Sequence, residues 1–256
     1  MLAATRRARL GELVRERASV HNEDVARELG VSVETVRRDL EHLDRTGEVV
    51  RVHGGAIAPS PVLNPRSEPA FDDRLDLAAG SKRAIGTKAA GLLAGASTIF
   101  LDIGTTIAQL ATAIDPDLRA TVVTPSMRVA ELLSAHRNLT VLVPGGAVRP
   151  GDLVISGATA VQFLADIYAD VAFLGSGGVS VQRGLTDYEH AEVAIKRTML
   201  ANCDRSFVLA DSTKFARTAP YRVCGVQDVT AFITDRALPA AQQDQMHDAE
   251  VGVIVA

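Results

Sequence analysis

From Lys82 to the C-terminus, short runs rich in β-branched residues alternate with stretches of helical periodicity, and this alternation restricts the fold more than any other property of the chain. The runs cover 98–102, 121–124, 140–143, 171–175, 207–211, 231–234 and 251–255, and helical stretches such as 107–114, 129–136 and 191–201 lie between most of them. A strand, a helix and a strand in succession close most readily with the two strands parallel and the helix packed across them. The expected fold of this region is therefore α/β, a mostly parallel sheet covered by helices. With no Trp and only 4% aromatic residues, its core has to be built from Val, Leu, Ile and Ala. The same scarcity removes the stacking platforms that single-stranded nucleic acid or RNA would need.

In a parallel sheet the C-terminal strand ends share one edge, where open α/β folds bind ligands. Here those ends carry small and polar residues: Asp102-Ile-Gly104-Thr105-Thr106, Thr124-Pro125-Ser126, Pro144-Gly145-Gly146, Gly175-Ser176-Gly177-Gly178, Asp211-Ser-Thr-Lys214 and Thr234-Asp235. Small residues let an anion approach backbone N–H groups, and Thr105 and Thr106 stand where a helix begins, a favourable place for a phosphate. Lys214 and Arg149 are candidate cations for it. Asp102 and Asp211 are either hydroxyl acceptors for a ligand or organisers of their loops. Glu192 and Lys196, spaced i, i+4, read equally as a surface helix pair or as groups near the pocket. Any one glycine-rich end is only a tight turn; their convergence on one edge points to a small anionic ligand with a polar body.

The N-terminal residues have a different organisation. Asn22 is placed to cap a short helix carrying Val25, Ala26 and Leu29, Gly30 to end it, and Ser32 to cap a second helix; residues 49–57 suit a glycine-tipped hairpin. In the second helix Val33, Val36, Leu40 and Leu43 form one apolar stripe, which puts Arg38 nearly opposite it. This is the pattern of a winged helix-turn-helix, and its partner is double-stranded DNA. Ser32, Glu34, Thr35 and Arg38 lie nearest the base edges; Arg37, Arg51 and His53 suit phosphates or a minor groove. Residues 1–58 carry ten Arg and ten acidic residues, so binding depends on how charge is distributed rather than on net charge. Pro59, Pro61, Pro65 and Pro69 mark a connector, giving a division into a DNA-binding domain at 1–57, a linker at 58–74 and an α/β domain at 75–256.

Several segments together resemble the DeoR-type bacterial transcription regulators. They are Arg7-Ala-Arg-Leu-Gly-Glu-Leu-Val14, Asp24-Val-Ala-Arg-Glu-Leu-Gly-Val-Ser32, Thr35-Val-Arg-Arg-Asp-Leu40 and Val52-His-Gly-Gly-Ala56 in the first part. Asp102-Ile-Gly-Thr-Thr106, Gly145-Gly146, Gly157, Gly184-Leu185, Glu192 with Lys196-Arg197, and Asp211-Ser-Thr-Lys-Phe215 continue the match downstream. The resemblance implies a repressor of operator DNA whose C-terminal sensor domain, similar in fold to ribose-5-phosphate isomerase, binds a phosphorylated sugar or related metabolite. It departs from the family at Pro125, where Asn is usual. The competing class is a sugar-phosphate isomerase-like enzyme joined to a DNA- or protein-binding module. Against it, Gly175-Ser-Gly-Gly178 stands where those isomerases carry an acidic loop, although Asp187 and Glu189 follow. The expectation is a non-enzymatic regulator with no cofactor and no metal, acting as a homodimer or homotetramer because paired half-sites favour an even number of reading heads. Cys203 and Cys224 have no ligand spacing and read as thiols of a reducing compartment. Arg6, Arg7 and Arg9 interrupt any N-terminal apolar stretch, and no run is long enough to span a bilayer, so the reading is cytoplasmic with no membrane partner.

Overall fold

The structure, a computed structural model, describes residues 3–17, 19–45, 48–52, 54–57, 68, 71–215 and 217–256. The chain divides into two units, Met1–Asn64 and Pro65–Ala256. That division falls inside the expected 58–74 linker. The last residues of that span, within the helix Phe71–Asp76, belong to the second unit: Phe71 is buried and its backbone N–H donates to Asp152 Oδ1 at 3.1 Å.

In the first unit, helices Ala3–Arg17, Asn22–Leu29 and Val33–Arg45 enclose a core of Leu10, Leu13, Val14, Val25, Val36, Leu40 and Leu43. The apolar stripe of the third helix is thus its buried side. Ser32 caps that helix as expected, its Oγ accepting from the Thr35 N–H at 3.2 Å. Gly30, at φ +66°, closes the second helix by donating to the Ala26 carbonyl. Asn22 does not cap: it is the first helical residue behind His21, and its own N–H donates to the Gly54 carbonyl at 2.9 Å, which fixes its backbone to the wing. The hairpin of Val50–Val52 and Gly55–Ile57 gains a third strand, Ser19–His21, which pairs antiparallel with Gly55–Ile57. A Cβ at Gly55 would lie 2.0 Å from the Val20 carbonyl oxygen, so only glycine lets this strand approach. A three-residue strand has too little alternation to be read from sequence.

In the second unit all seven expected runs become strands of one sheet. In spatial order they are Val253–Val255, Ala231–Thr234, Cys203–Leu209, Ala169–Leu174, Thr98–Leu101, Ala120–Val123 and Leu139–Leu142, and every neighbouring pair is parallel. Alternate residues face opposite sides: Ile99, Leu101, Val171 and Phe173 join one core, and Phe100, Ala172 and Leu174 the other. Helices Ala79–Ala90, Thr105–Thr112 and Met127–Leu133 cover the first side; Ala158–Ala165, His190–Ala201 and Ala240–Asp248 cover the second. Burial on both faces is what requires the near-continuous apolar runs. Two small antiparallel additions lie outside this frame, the hairpin Ala147–Arg149 with Val154–Ser156 and the sheet of Gly178–Ser180, Gly184–Asp187 and Tyr221–Cys224.

Candidate functional site

The chain winds outward in one direction from Thr98–Leu101 and in the other from Ala169–Leu174, so the sheet's order reverses between these adjacent strands. Loops leaving the two strands must diverge to opposite faces, which opens a crevice at their C-terminal ends. Asp102 follows the first strand and Gly175 the second. The Asp102 N–H donates to the Phe173 carbonyl at 3.0 Å, and its Oδ2 accepts from the Gly175 N–H at 2.8 Å. Lys196, on helix His190–Ala201, donates to Asp102 Oδ2, lies 3.2 Å from Asp187 Oδ2 and reaches the Gly175 carbonyl at 3.3 Å. All three ionic side chains are buried. Burial works against the Lys196 charge, but the Asp102 and Asp187 carboxylates outweigh it and hold the ammonium protonated.

One turn earlier on the helix, Glu192 is only 3% exposed and sits 2.5 Å from Arg149 Nη2. Arg149 also pairs with Asp152 at 2.6 Å and Glu189 at 3.1 Å. Of the two readings open for Glu192 and Lys196, the exposed helix pair is excluded, since each turns inward to a different partner. Burial, reinforced by the neighbouring Asp187, pushes the Glu192 carboxyl up to about 8 despite Arg149 and Lys196. A carboxyl whose folded value is raised contributes stability below its ordinary range near 4.5 and loses it as the pH rises to about 8. Glu192→Gln removes that titration. Its stability relative to wild type should therefore rise between those limits, by at most about 1.4 kcal/mol per pH unit, and stay level above them. Thermal melts from pH 4 to 9 measure this, and a pH-independent difference would refute it.

The remaining expected residues occupy the same edge in different ways. Gly104, at φ +107°, precedes the helix Thr105–Thr112, so backbone N–H groups of Thr105 and Thr106 stand at a helix start, with Thr105 buried. Thr124 and Ser126 are spent internally: the Thr124 hydroxyl accepts from the Ser126 N–H, and Ser126 Oγ from the Val129 N–H. Gly145 and Gly146 lead into the hairpin that carries Arg149, and the Gly177 N–H donates to the Thr186 carbonyl. Asp211 caps the turn Ser212–Lys214, accepting from the N–H and the hydroxyl of Thr213. Lys214, at the end of that turn, lies 3.7 Å from Glu68.

Glu68, Arg74, Asp152 and Lys82 were not among the sequence-derived candidates, and Asp187 was weighed only for the competing enzyme, yet all belong to this charged edge. Glu68 pairs with Arg74 at 2.6 Å, Arg74 with Asp152 at 3.1 Å, and Lys82 donates to the Arg74 carbonyl. Burial brings Lys82 down to about 8. No local motif marks these residues; the pairing exists only once helix Phe71–Asp76 meets the hairpin. Both thiols are pushed up to about 11, chiefly by burial, which makes them poor nucleophiles.

On the first unit, the exposed side of helix Val33–Arg45 presents Glu34, Arg37 and Arg38, with side chains 61%, 58% and 77% exposed. Arg37 and Arg38 approach Glu34 only loosely, at 3.8 and 3.6 Å. Ser32 and Thr35 hydroxyls lie 2.8 Å apart at the helix start. Arg51 is exposed and its backbone N–H is held by Asp44; His53 lies outside the described residues. Asp39 is buried, held by Arg6 at 2.5 Å and Arg7 at 3.0 Å. Burial opposes its charge, but the two guanidiniums keep the carboxyl below its ordinary range. Two of the ten arginines are therefore structural. Among the described residues no helix is long and apolar enough to cross a membrane.

The family descriptions match both units: the DeoR-like helix-turn-helix domain over residues 6–62 and the DeoR C terminal sensor domain over residues 78–236. The chain is 33% identical to the HTH-type transcriptional repressor CsqR of Escherichia coli K12, over 95% of this chain and 92% of that protein. It is 30% identical to the glycerol-3-phosphate regulon repressor of the same strain, over 93% and 92%. Among solved structures, ribose 5-phosphate isomerase A from Methanocaldococcus jannaschii shares 17% identity over 53% of this chain and 54% of that one, with a TM-score of 0.40. With matches spanning both units and almost the full length, the chain belongs to the DeoR family of DNA-binding transcriptional regulators.

Proposed function

We propose that the strand-end crevice is the effector site of a repressor and that its ligand is a phosphorylated sugar or a related small polyol phosphate. The observation that carries this is the buried Asp102–Lys196–Asp187 cluster at the reversal point of the sheet, with Asp102 Oδ1 and Glu192 Oε2 buried and lacking a hydrogen-bond donor among the described residues. Buried acceptors without donors are costly, and sugar hydroxyls would supply the missing donors. The phosphate would lie against the N–H groups at Thr105 and Thr106, beside Lys214. Lys196 has its charge matched by two carboxylates, so it positions Asp102 and Gly175 and leaves the phosphate to Lys214. Asp102 and Asp187 bear on the ligand as hydroxyl acceptors and Glu192, whose carboxyl is raised to about 8, as donor and acceptor, and the regulator carries out no chemistry on it.

Operator recognition is assigned to Ser32, Glu34, Thr35 and Arg38 at the bases and to Arg37, Arg51 and His53 on the backbone, in a homodimer or homotetramer that presents paired reading heads. Effector and operator are then coupled through the protein, and each must change the other's affinity by the same factor. Thermal shift of the purified protein against phosphorylated sugars, with the unphosphorylated sugars beside them, tests the ligand class. Phosphates alone should raise the melting temperature. Lys214→Ala should weaken the active phosphate about 10- to 150-fold, the loss of about 1.5–3 kcal/mol expected for a charged hydrogen bond, and leave the operator footprint intact. A flat panel, or an undiminished response in Lys214→Ala, would remove this site from consideration.

A further inference from the structure

We propose that Glu68 is a built-in competitor of the effector: its carboxylate pairs with the cations that the phosphate needs, and the phosphate displaces it. This rests on the reading of the strand-end edge as the effector site. Glu68 Oε1 lies 2.6 Å from Arg74 Nη1 and 3.7 Å from Lys214 Nζ, and its side chain is only 13% exposed. Lys82 also acts on it, and Asp187, Asp152 and Tyr188 lie within electrostatic reach. Burial disfavours the Glu68 charge and outweighs the attraction of Arg74 and Lys214, with Asp187 and Asp152 adding to the penalty, so the carboxyl is held above its ordinary value. A phosphate monoester carries about −1.5 to −2 at neutral pH and offers three acceptor oxygens, so it is the stronger partner for Lys214 and Arg74.

The consequence lies in where Glu68 sits along the chain. It belongs to the connector between the family's two matched domains, at 6–62 and 78–236. Three residues further on, the connector is held by different contacts: the Phe71 N–H and the Arg74 guanidinium both bond Asp152, and Arg128 lies over the Phe71 ring at 4.2 Å. Those contacts do not involve Lys214. Displacing Glu68 while they persist releases one of the contacts that hold the connector to the second unit and leaves those of Phe71 and Arg74 in place. Operator spacing is sensitive to such a change, because two reading heads must engage half-sites at a fixed separation. The effector's charge is thereby coupled to how the connector is held at Glu68.

The test compares full-length wild type, Glu68→Gln and Glu68→Asp, with inorganic phosphate as the probe. Titration calorimetry should show phosphate binding about tenfold tighter to Glu68→Gln, with Glu68→Asp, which keeps the competing charge, close to wild type. Tryptic cleavage after Arg66 should be accelerated by phosphate in the wild type and already fast in Glu68→Gln without it. Both results are required. Equal phosphate affinity in wild type and Glu68→Gln, or cleavage unaffected by phosphate and by the substitution, overturns the role of Glu68 while leaving the effector site standing. If neither inorganic phosphate nor any phosphorylated sugar binds either protein, the effector site itself is wrong and Glu68 falls with it. Glu68→Asp guards against misfolding as the explanation, since a charge-preserving variant that also gained affinity would contradict the competition.

Discussion

Lys196→Met should destabilise the 65–256 unit by about 3–5 kcal/mol, the cost typical of removing one member of a buried ion pair. The side chain is 1% exposed, and its ammonium is the cation that faces the buried Asp102 and Asp187 side chains. Met fills nearly the same volume, so little of the loss comes from a cavity; it comes from two carboxylates, with Glu192 nearby, left facing one another without a cation. For a unit of this size about 2–4 °C accompanies each kcal/mol, so the melting temperature should fall by about 6–20 °C. The pH dependence separates this cause from simple packing damage. Burial already holds the Asp102 carboxyl above its ordinary value, with Lys196 opposing that rise; without Lys196 it rises further, and such a group gives up stability as the pH climbs through the folded value. The deficit should accordingly be smallest near pH 4 and grow toward neutrality. A loss below about 1 kcal/mol, or one independent of pH, would show that Lys196 is not the charge that holds this cluster together.

The large-scale frame was legible because its signal is repeated. The five inner strand runs are apolar enough to be buried on both faces, the edge strands Leu139–Leu142 and Val253–Val255 being only partly buried, and each of the expected strand ends ranged by Asp102, Thr124, Pro144, Gly175, Asp211 and Thr234 falls on the shared edge. The stripe of Val36, Leu40 and Leu43 was legible for the same reason, a period that the buried face enforces. The three-residue strands were not, since Ser19–His21 and Ala147–Arg149 are defined by a partner strand and not by their own pattern.

Charges proved the least legible. The i, i+4 spacing of Glu192 and Lys196 is the signature of an exposed helix pair, yet both are buried because the helix packs that face against the sheet's reversal point. Asp39, on the same helix as Arg37 and Arg38, is buried and held by two arginines of the first helix. Lys214 was legible as a cation at a strand end, whereas Glu68, which faces it, lies in a proline-rich stretch with no periodic signal. An ion pair between residues separated by more than a hundred positions leaves no trace in local sequence. What sequence shows is which residues can be charged, and tertiary contact decides which of them remain available to a ligand.

Arg38→Ala should cost about 1–3 kcal/mol of operator affinity at each half-site, or roughly 5- to 150-fold, with little effect on folding. Its side chain is the most exposed of the three on the reading helix, 77% against 58% and 61% for Arg37 and Glu34. The 3.6 Å approach to Glu34 is an exposed pair worth at most about 1 kcal/mol, so little stability is lost with it. The position opposite the buried stripe is what makes the expected functional loss large, because the face of a recognition helix turned away from its buried stripe is the one that enters the major groove. A base contact and a phosphate contact leave different signatures. If Arg38 reads a base, its loss relaxes the preference at one position and leaves binding to unrelated DNA almost unchanged. Arg51→Ala should instead weaken both kinds of DNA alike and lower the salt-dependence slope by about 1. Binding of wild type and both variants to operator and to random duplex, at several salt concentrations, distinguishes them. Equal losses on the two DNAs for Arg38→Ala would move that arginine to the backbone and leave Ser32, Glu34 and Thr35 to carry the sequence preference.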